Sequence, residues 1–205
     1  MFNRLIAFGD SWTAGHGVEK DEQYKEIIDC GPFINQVRQN NGWPRHLSQY
    51  YDIPFVNFGV CNHSNPDIIS DINRYKPYLD DSSDLIIIML SYPLRRSNSP
   101  EHVVRQIQKE LEGYTYFLYN SFSLTFLPEM DHDLKGIDLS KFPRKDEHFA
   151  SMLMKYERDQ DVSVWEYDFR YPETWQNMPQ GDTHPNYLGY KLIAKAIYTD
   201  LLTRV

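Results

Sequence analysis

Two short stretches at opposite ends of the chain carry the residue types of nucleophilic catalysis. The first is Phe8-Gly9-Asp10-Ser11-Trp12-Thr13. A serine just past a buried strand, after a glycine, presents its hydroxyl on a tight turn. If a helical turn follows, the Ser11 N–H points into the same space and can donate to an oxyanion. The second is Gly181-Asp182-Thr183-His184-Pro185-Asn186. A serine hydroxyl is a poor nucleophile until a base takes its proton, and an imidazole is the natural base. The imidazole in turn needs a carboxylate to hold its tautomer and steady the imidazolium. Asp182 and His184 are two apart, so in extended backbone they point to the same side. Pro185 biases His184 away from helical backbone and so keeps the segment extended. Each stretch taken alone has a plain alternative as a helix N-terminus, because Asp, Ser and Asn are good caps.

The elements that position these stretches alternate. Leu5-Ile6-Ala7-Phe8 reads as a buried strand ending at the Gly-Asp-Ser turn. Residues 15 to 42 read as a long loop, with at most a short helix near Gln23 to Ile28. Gly42-Trp43-Pro44 starts a helix, with proline in the first turn. Residues 54–60 form the second strand, and Asn65-Pro66-Asp67 opens a helix with Ile68, Ile69, Ile72 and Tyr75 on its apolar face. Leu85-Ile86-Ile87-Ile88-Met89-Leu90 is apolar on both faces, as a central parallel strand must be. A helix from Ser99 to Gly113, a strand over 114–119 and a helix over 146–156 follow. Residues 128–145 read as loop, and Val162 to Trp165 as a last short strand. A helix from Asn186 to Leu201 closes the chain. This order predicts an α/β fold, a three-layer α/β/α sandwich around a parallel flavodoxin-like sheet. Ligands bind such sheets beyond the carboxyl ends of the strands, which is where both stretches fall.

Composition narrows the function classes. The 205 residues predict a single domain, residues 1–205, with 41% hydrophobic and 24% charged residues. Formal net charge is −8, against both nucleic-acid binding and a polybasic hold on a membrane. No apolar run is long enough to cross a bilayer, and the apolar part of the N-terminus is too short for a signal peptide. Cys30 and Cys61 make no disulfide framework, so a reduced, cytoplasmic protein is expected. Aromatic residues are 15% of the chain. Trp12 follows the candidate nucleophile and is placed as a pocket wall for a sugar or acyl group. Trp43, Trp165 and Trp175 are placed as packing.

Taken together and in this order, the N-terminal Gly9-Asp10-Ser11 and the C-terminal Asp182-Thr183-His184-Pro185-Asn186 resemble the SGNH/GDSL hydrolases, serine esterases, lipases, thioesterases and carbohydrate deacetylases. The resemblance spans the chain. It implies Ser11 as nucleophile and first oxyanion donor, His184 as base, Asp182 as orienting acid, and a small-molecule or carbohydrate ester as substrate. It implies no cofactor and no metal.

The chain departs from that family at three places. The glycine after the second strand, whose N–H is an oxyanion donor, falls on Asn62, with Gly59 a nearby rival. Asparagine tolerates the left-handed backbone such a position uses. The Gly-x-Asn-Asp block after the third strand is replaced by Leu90-Ser91-Tyr92-Pro93-Leu94-Arg95-Arg96. Ser91 then stands in for the missing donor, and Arg95 is placed to hold an anionic part of a substrate or else leads into a solvated helix. The family acid lies three residues before the histidine, here Gly181, whereas Asp182 lies two before, so a dyad with the imidazole held by a backbone carbonyl stays open. Two other function classes compete: a binding or structural protein that has lost efficient catalysis, and a metallophosphoesterase using Asp-x-His and Asn62-His63. The motif order counts against the latter.

Overall fold

The computed structural model describes residues 2–18, 32–91, 100–120, 138–141, 149–166 and 184–204. Four strands make one parallel sheet: β1 (Arg4–Gly9), β2 (Phe55–Gly59), β3 (Asp84–Leu90) and β4 (Tyr116–Asn120), in the order β2-β1-β3-β4. Among the described residues the α-helices are α1 (Ser11–Ala14), α2 (Pro32–Asn41), α3 (Trp43–Tyr51), α4 (Asn65–Tyr75), α5 (Pro100–Glu110), α6 (Phe149–Gln160) and α7 (Tyr187–Leu201). This is the three-layer α/β/α arrangement expected from the alternation.

Strand periodicity sorts the core. On β1 and β3, Leu5, Ala7, Leu85, Ile87 and Met89 face Trp43 and Leu47 of α3, Leu153 of α6 and the apolar stripe of α7. The intervening residues Ile6, Phe8, Ile86, Ile88 and Leu90 face α4 and α5. Every residue of β3 is buried, because its neighbours cover both faces and both edges. A fully buried Leu or Ile contributes about 1.5–3 kcal/mol, so this strand pair anchors the molecule.

The chain crosses over β1 between β2 and β3, so strand order reverses beside β1. The crevice at that reversal lies at the carboxyl ends of β1 and β3. Register aligns those ends: Gly9 pairs with Met89 on one side and with Gly59 on the other.

Two expectations change. Residues 32–41 are helical rather than loop, while the short helix expected near residues 23–28 lies outside the described residues. Over Val162–Trp165 no strand forms. The segment instead makes a single antiparallel bridge, Trp165 to Pro185. Among the described residues no helix is long and apolar enough to cross a membrane.

Candidate active site

The turn after β1 is built by its own side chains. Asp10 is the N-cap of α1 and accepts from the Trp12 N–H at 3.0 Å, so Ser11 is the first helical residue. Capping therefore falls on Asp10 and not on Ser11. Asn57 of β2 clamps α1 from the side, donating to the Thr13 carbonyl at 2.8 Å. Gly59 lets α1 lie against β2, since a Cβ there would stand 2.3 Å from the Ala14 nitrogen. Its N–H donates to the Asn57 Oδ1 at 2.8 Å, so Gly59 serves packing and is not the spare donor.

His184 arrives from the other end of the chain on a bridge of backbone bonds. The Glu166 N–H donates to the His184 carbonyl at 2.9 Å, and the Asn186 N–H donates to Val164 at 3.0 Å. Asn186 caps α7 by accepting from the Gly189 N–H at 3.0 Å, while its amide donates to the Ser163 carbonyl at 3.0 Å. One side chain thus ends the helix and ties it to the 163–166 segment.

The convergence expected from sequence is present. His184 Nε2 lies 2.8 Å from Ser11 Oγ, a full hydrogen bond across 173 positions of chain. Ser11 is 6% exposed and His184 1%. The carboxylate at the other ring nitrogen is Glu166: its Oε1 stands 3.3 Å from Nδ1 and accepts the His184 N–H at 3.1 Å. The Glu166 side chain is 2% exposed. Asp182 lies outside the described residues. Glu166 was not singled out from sequence, although it follows the apolar run Val162 to Trp165 and so obeys the same rule that chemistry sits just past such a run. A second residue missed was His16, whose Nδ1 is 3.4 Å from His184 Nε2.

Asn62 sits in the left-handed region at φ 67°, in the turn closed by the His63 N–H on the Val60 carbonyl. Ser91 directly follows β3 and is fully buried. Asn65 of α4 holds its backbone on both sides, accepting its N–H at 2.8 Å and donating to its carbonyl at 3.1 Å. Its hydroxyl has no hydrogen-bond partner among the described residues. A buried hydroxyl in that state is costly. Trp12 does not line a pocket wall. It is fully buried, edge-on to Trp165 with ring centres 6.0 Å apart, and offers no face to a ligand. Arg95 lies outside the described residues. His63 faces Asp71 of α4, Nδ1 to Oδ2 at 3.1 Å, as a local pair. His46 of α3 is buried elsewhere in the core layer, and that burial depresses its imidazole below the ordinary value.

The same arrangement of strands and helices recurs among solved structures. A member of the lipolytic G-D-S-L family from Veillonella parvula is similar over 98% of this chain and 99% of its own, at 19% identity and TM-score 0.50. The fold is that of the SGNH/GDSL hydrolases. The psychrotrophic esterase EstA from Pseudoalteromonas sp. matches over 98% of this chain and 97% of its own, at 13% identity and TM-score 0.54. A two-domain esterase active on acetylated mannans matches at 14% identity and TM-score 0.57, this chain covering 98% of itself and 49% of that protein. No protein-family model and no curated protein matches the chain in sequence.

Proposed function

We propose that this protein is a divergent SGNH/GDSL serine hydrolase that cleaves carboxylic esters through an acyl-enzyme. The observation that carries the proposal is the 2.8 Å contact between Ser11 Oγ and His184 Nε2 at the carboxyl ends of β1 and β3. Ser11 Oγ attacks the acyl carbon as its proton passes to His184 Nε2. The donors to the tetrahedral oxyanion are the Ser11 N–H, the Asn62 N–H and the Ser91 hydroxyl. His184 then returns the proton to the departing alcohol. Water repeats the cycle in reverse and frees the acid. Glu166 holds the His184 ring with Nδ1 protonated and steadies the imidazolium, the role assigned from sequence to Asp182.

For the substrate we propose a short acyl ester, such as an acetyl group, on a carbohydrate or small molecule. The likeness of the fold to an esterase active on acetylated mannans supports this choice. The test is hydrolysis of a graded series of acyl esters by the wild type, Ser11→Ala and His184→Ala. Turnover that falls with acyl length and drops by roughly 10³-fold or more in each variant is expected. Turnover unchanged in Ser11→Ala overturns the assignment.

A further inference from the structure

We infer that Asn65 is a positioning residue for the reaction, holding Ser91 in place so that its hydroxyl serves as an oxyanion donor. The inference rests on the hydrolase reading above, in which Ser91 is one of three donors. Asn65 is 2% exposed and opens α4. Its amide grips the backbone of Ser91 with both ends. Oδ1 accepts the Ser91 N–H at 2.8 Å, and Nδ2 donates to the Ser91 carbonyl at 3.1 Å. The partners are 26 positions apart, one in the stretch after β2 and the other directly after β3.

The mount for this grip is stiff. Asp67 accepts the Ser64 N–H at 2.9 Å and so closes a capping box at the start of α4. Pro66 occupies the first turn. Ile68, Ile69 and Ile72 then pack α4 into the cluster that holds Leu90, the residue before Ser91. At the other end of the turn, the Val60 N–H donates to the Gly9 carbonyl at 3.1 Å. The segment from Val60 to Asn65, which carries Asn62, is therefore bonded to the end of β1 at Gly9 and to the end of β3 at Ser91.

Two bonds to one peptide-bearing residue fix its Cα. The Ser91 hydroxyl then keeps a single freedom, rotation about Cα–Cβ, with three staggered positions. Donors stabilise a developing oxyanion because they stand in place beforehand, and a shift of about 1 Å costs on the order of 10²-fold in rate. A packing role for Asn65 asks only that the buried Ser91 N–H and carbonyl be satisfied, which a water molecule also does. A positioning role asks that they be satisfied by a side chain anchored to the Asn62 turn. The two roles part once the hydroxyl at position 91 is removed. Positioning then has nothing left to act on, whereas packing is as valuable as before.

The experiment is a double-mutant cycle on ester hydrolysis, with Asn65→Ala, Ser91→Ala and the pair, and Ser11→Ala as control. Turnover is expressed per active site, counted by fluorophosphonate titration run to completion, so that a smaller folded fraction does not enter. Asn65→Ser is run beside Asn65→Ala. It keeps a polar residue in the first helical turn and leaves room for a water, so it retains the fold where Asn65→Ala does not. Each Asn65 variant should lower kcat about five- to fiftyfold while KM stays within about twofold. In the Ser91→Ala background the same substitutions should lower kcat by less than about twofold further. Wild-type kcat in the Asn65 variants, or an equal fold-loss with and without the Ser91 hydroxyl, overturns the inference. Ser11→Ala turning over ester as fast as the wild type sinks the hydrolase reading and this inference with it. Additive losses beside an inactive Ser11→Ala sink this inference alone.

Discussion

The two ends of the β1–β3 strand pair hold polar clusters of opposite character. At the amino ends, Arg4 and Asp84 are register partners and meet in a two-pronged ion pair, Nε to Oδ1 at 2.9 Å and Nη2 to Oδ2 at 2.6 Å. Asp84 also accepts the Asp80 N–H at 2.8 Å, and Arg4 reaches the Tyr78 carbonyl at 3.0 Å. Asp84 foremost holds the Arg4 guanidinium even more firmly protonated than usual. Each group there saturates another. At the carboxyl ends, Ser11, His184 and Ser91 are buried, the Glu166–His184 contacts run from 3.1 to 3.3 Å, and the Ser91 hydroxyl lacks a partner among the described residues. The same two strands thus end in a mutually satisfied ion pair on one side and, on the other, in the buried cluster to which the proposed hydrolysis assigns its reacting atoms.

That contrast breaks first at Glu166. Glu166→Gln keeps the shape but removes the charge that steadies the imidazolium, and should lower kcat by roughly 10²–10⁴ with little change in thermal stability. Asp182→Asn should leave kcat close to wild type. Steady-state kinetics on both variants separates the two carboxylates, and the reverse pattern would return the orienting role to Asp182. A smaller effect is expected at Ser91. Ser91→Ala removes the proposed second oxyanion donor, and should lower kcat about 10- to 100-fold while KM holds. Loss of stability with unchanged kcat would make Ser91 a packing residue. The smallest effect belongs to the opposite end. Arg4→Leu strands the buried Asp84 carboxylate and should cost about 1–3 kcal/mol in denaturant unfolding, with kcat per folded molecule unchanged.

The sheet was legible in the sequence because β1 and β3 are apolar on both faces and sit between clear turn residues. The helix α2 was not. Among its described side chains only Ile34 and Val37 are apolar, and Asn, Gln and Arg fill most of the rest, so tertiary packing rather than pattern makes it a helix. Ser11 and His184 were legible because each follows a recognisable local motif. Glu166 and His16 were not, since they reach His184 only when the 163–166 bridge and the Gly15–Gly17 turn fold onto it. Trp12 shows the converse. Its place beside the nucleophile suggested a ligand platform, but an aromatic of that size at the start of α1 is drawn into the core against Trp165.

The central claim is that a base activates one particular hydroxyl out of this chain's many. Incubating the wild type with a fluorophosphonate, digesting it and mapping the adduct by mass spectrometry tests that claim most directly. The account predicts a single phosphonylated residue, Ser11, with the adduct lost in His184→Ala. A stable adduct on another residue, or equal modification of Ser11 when His184 is absent, would contradict it.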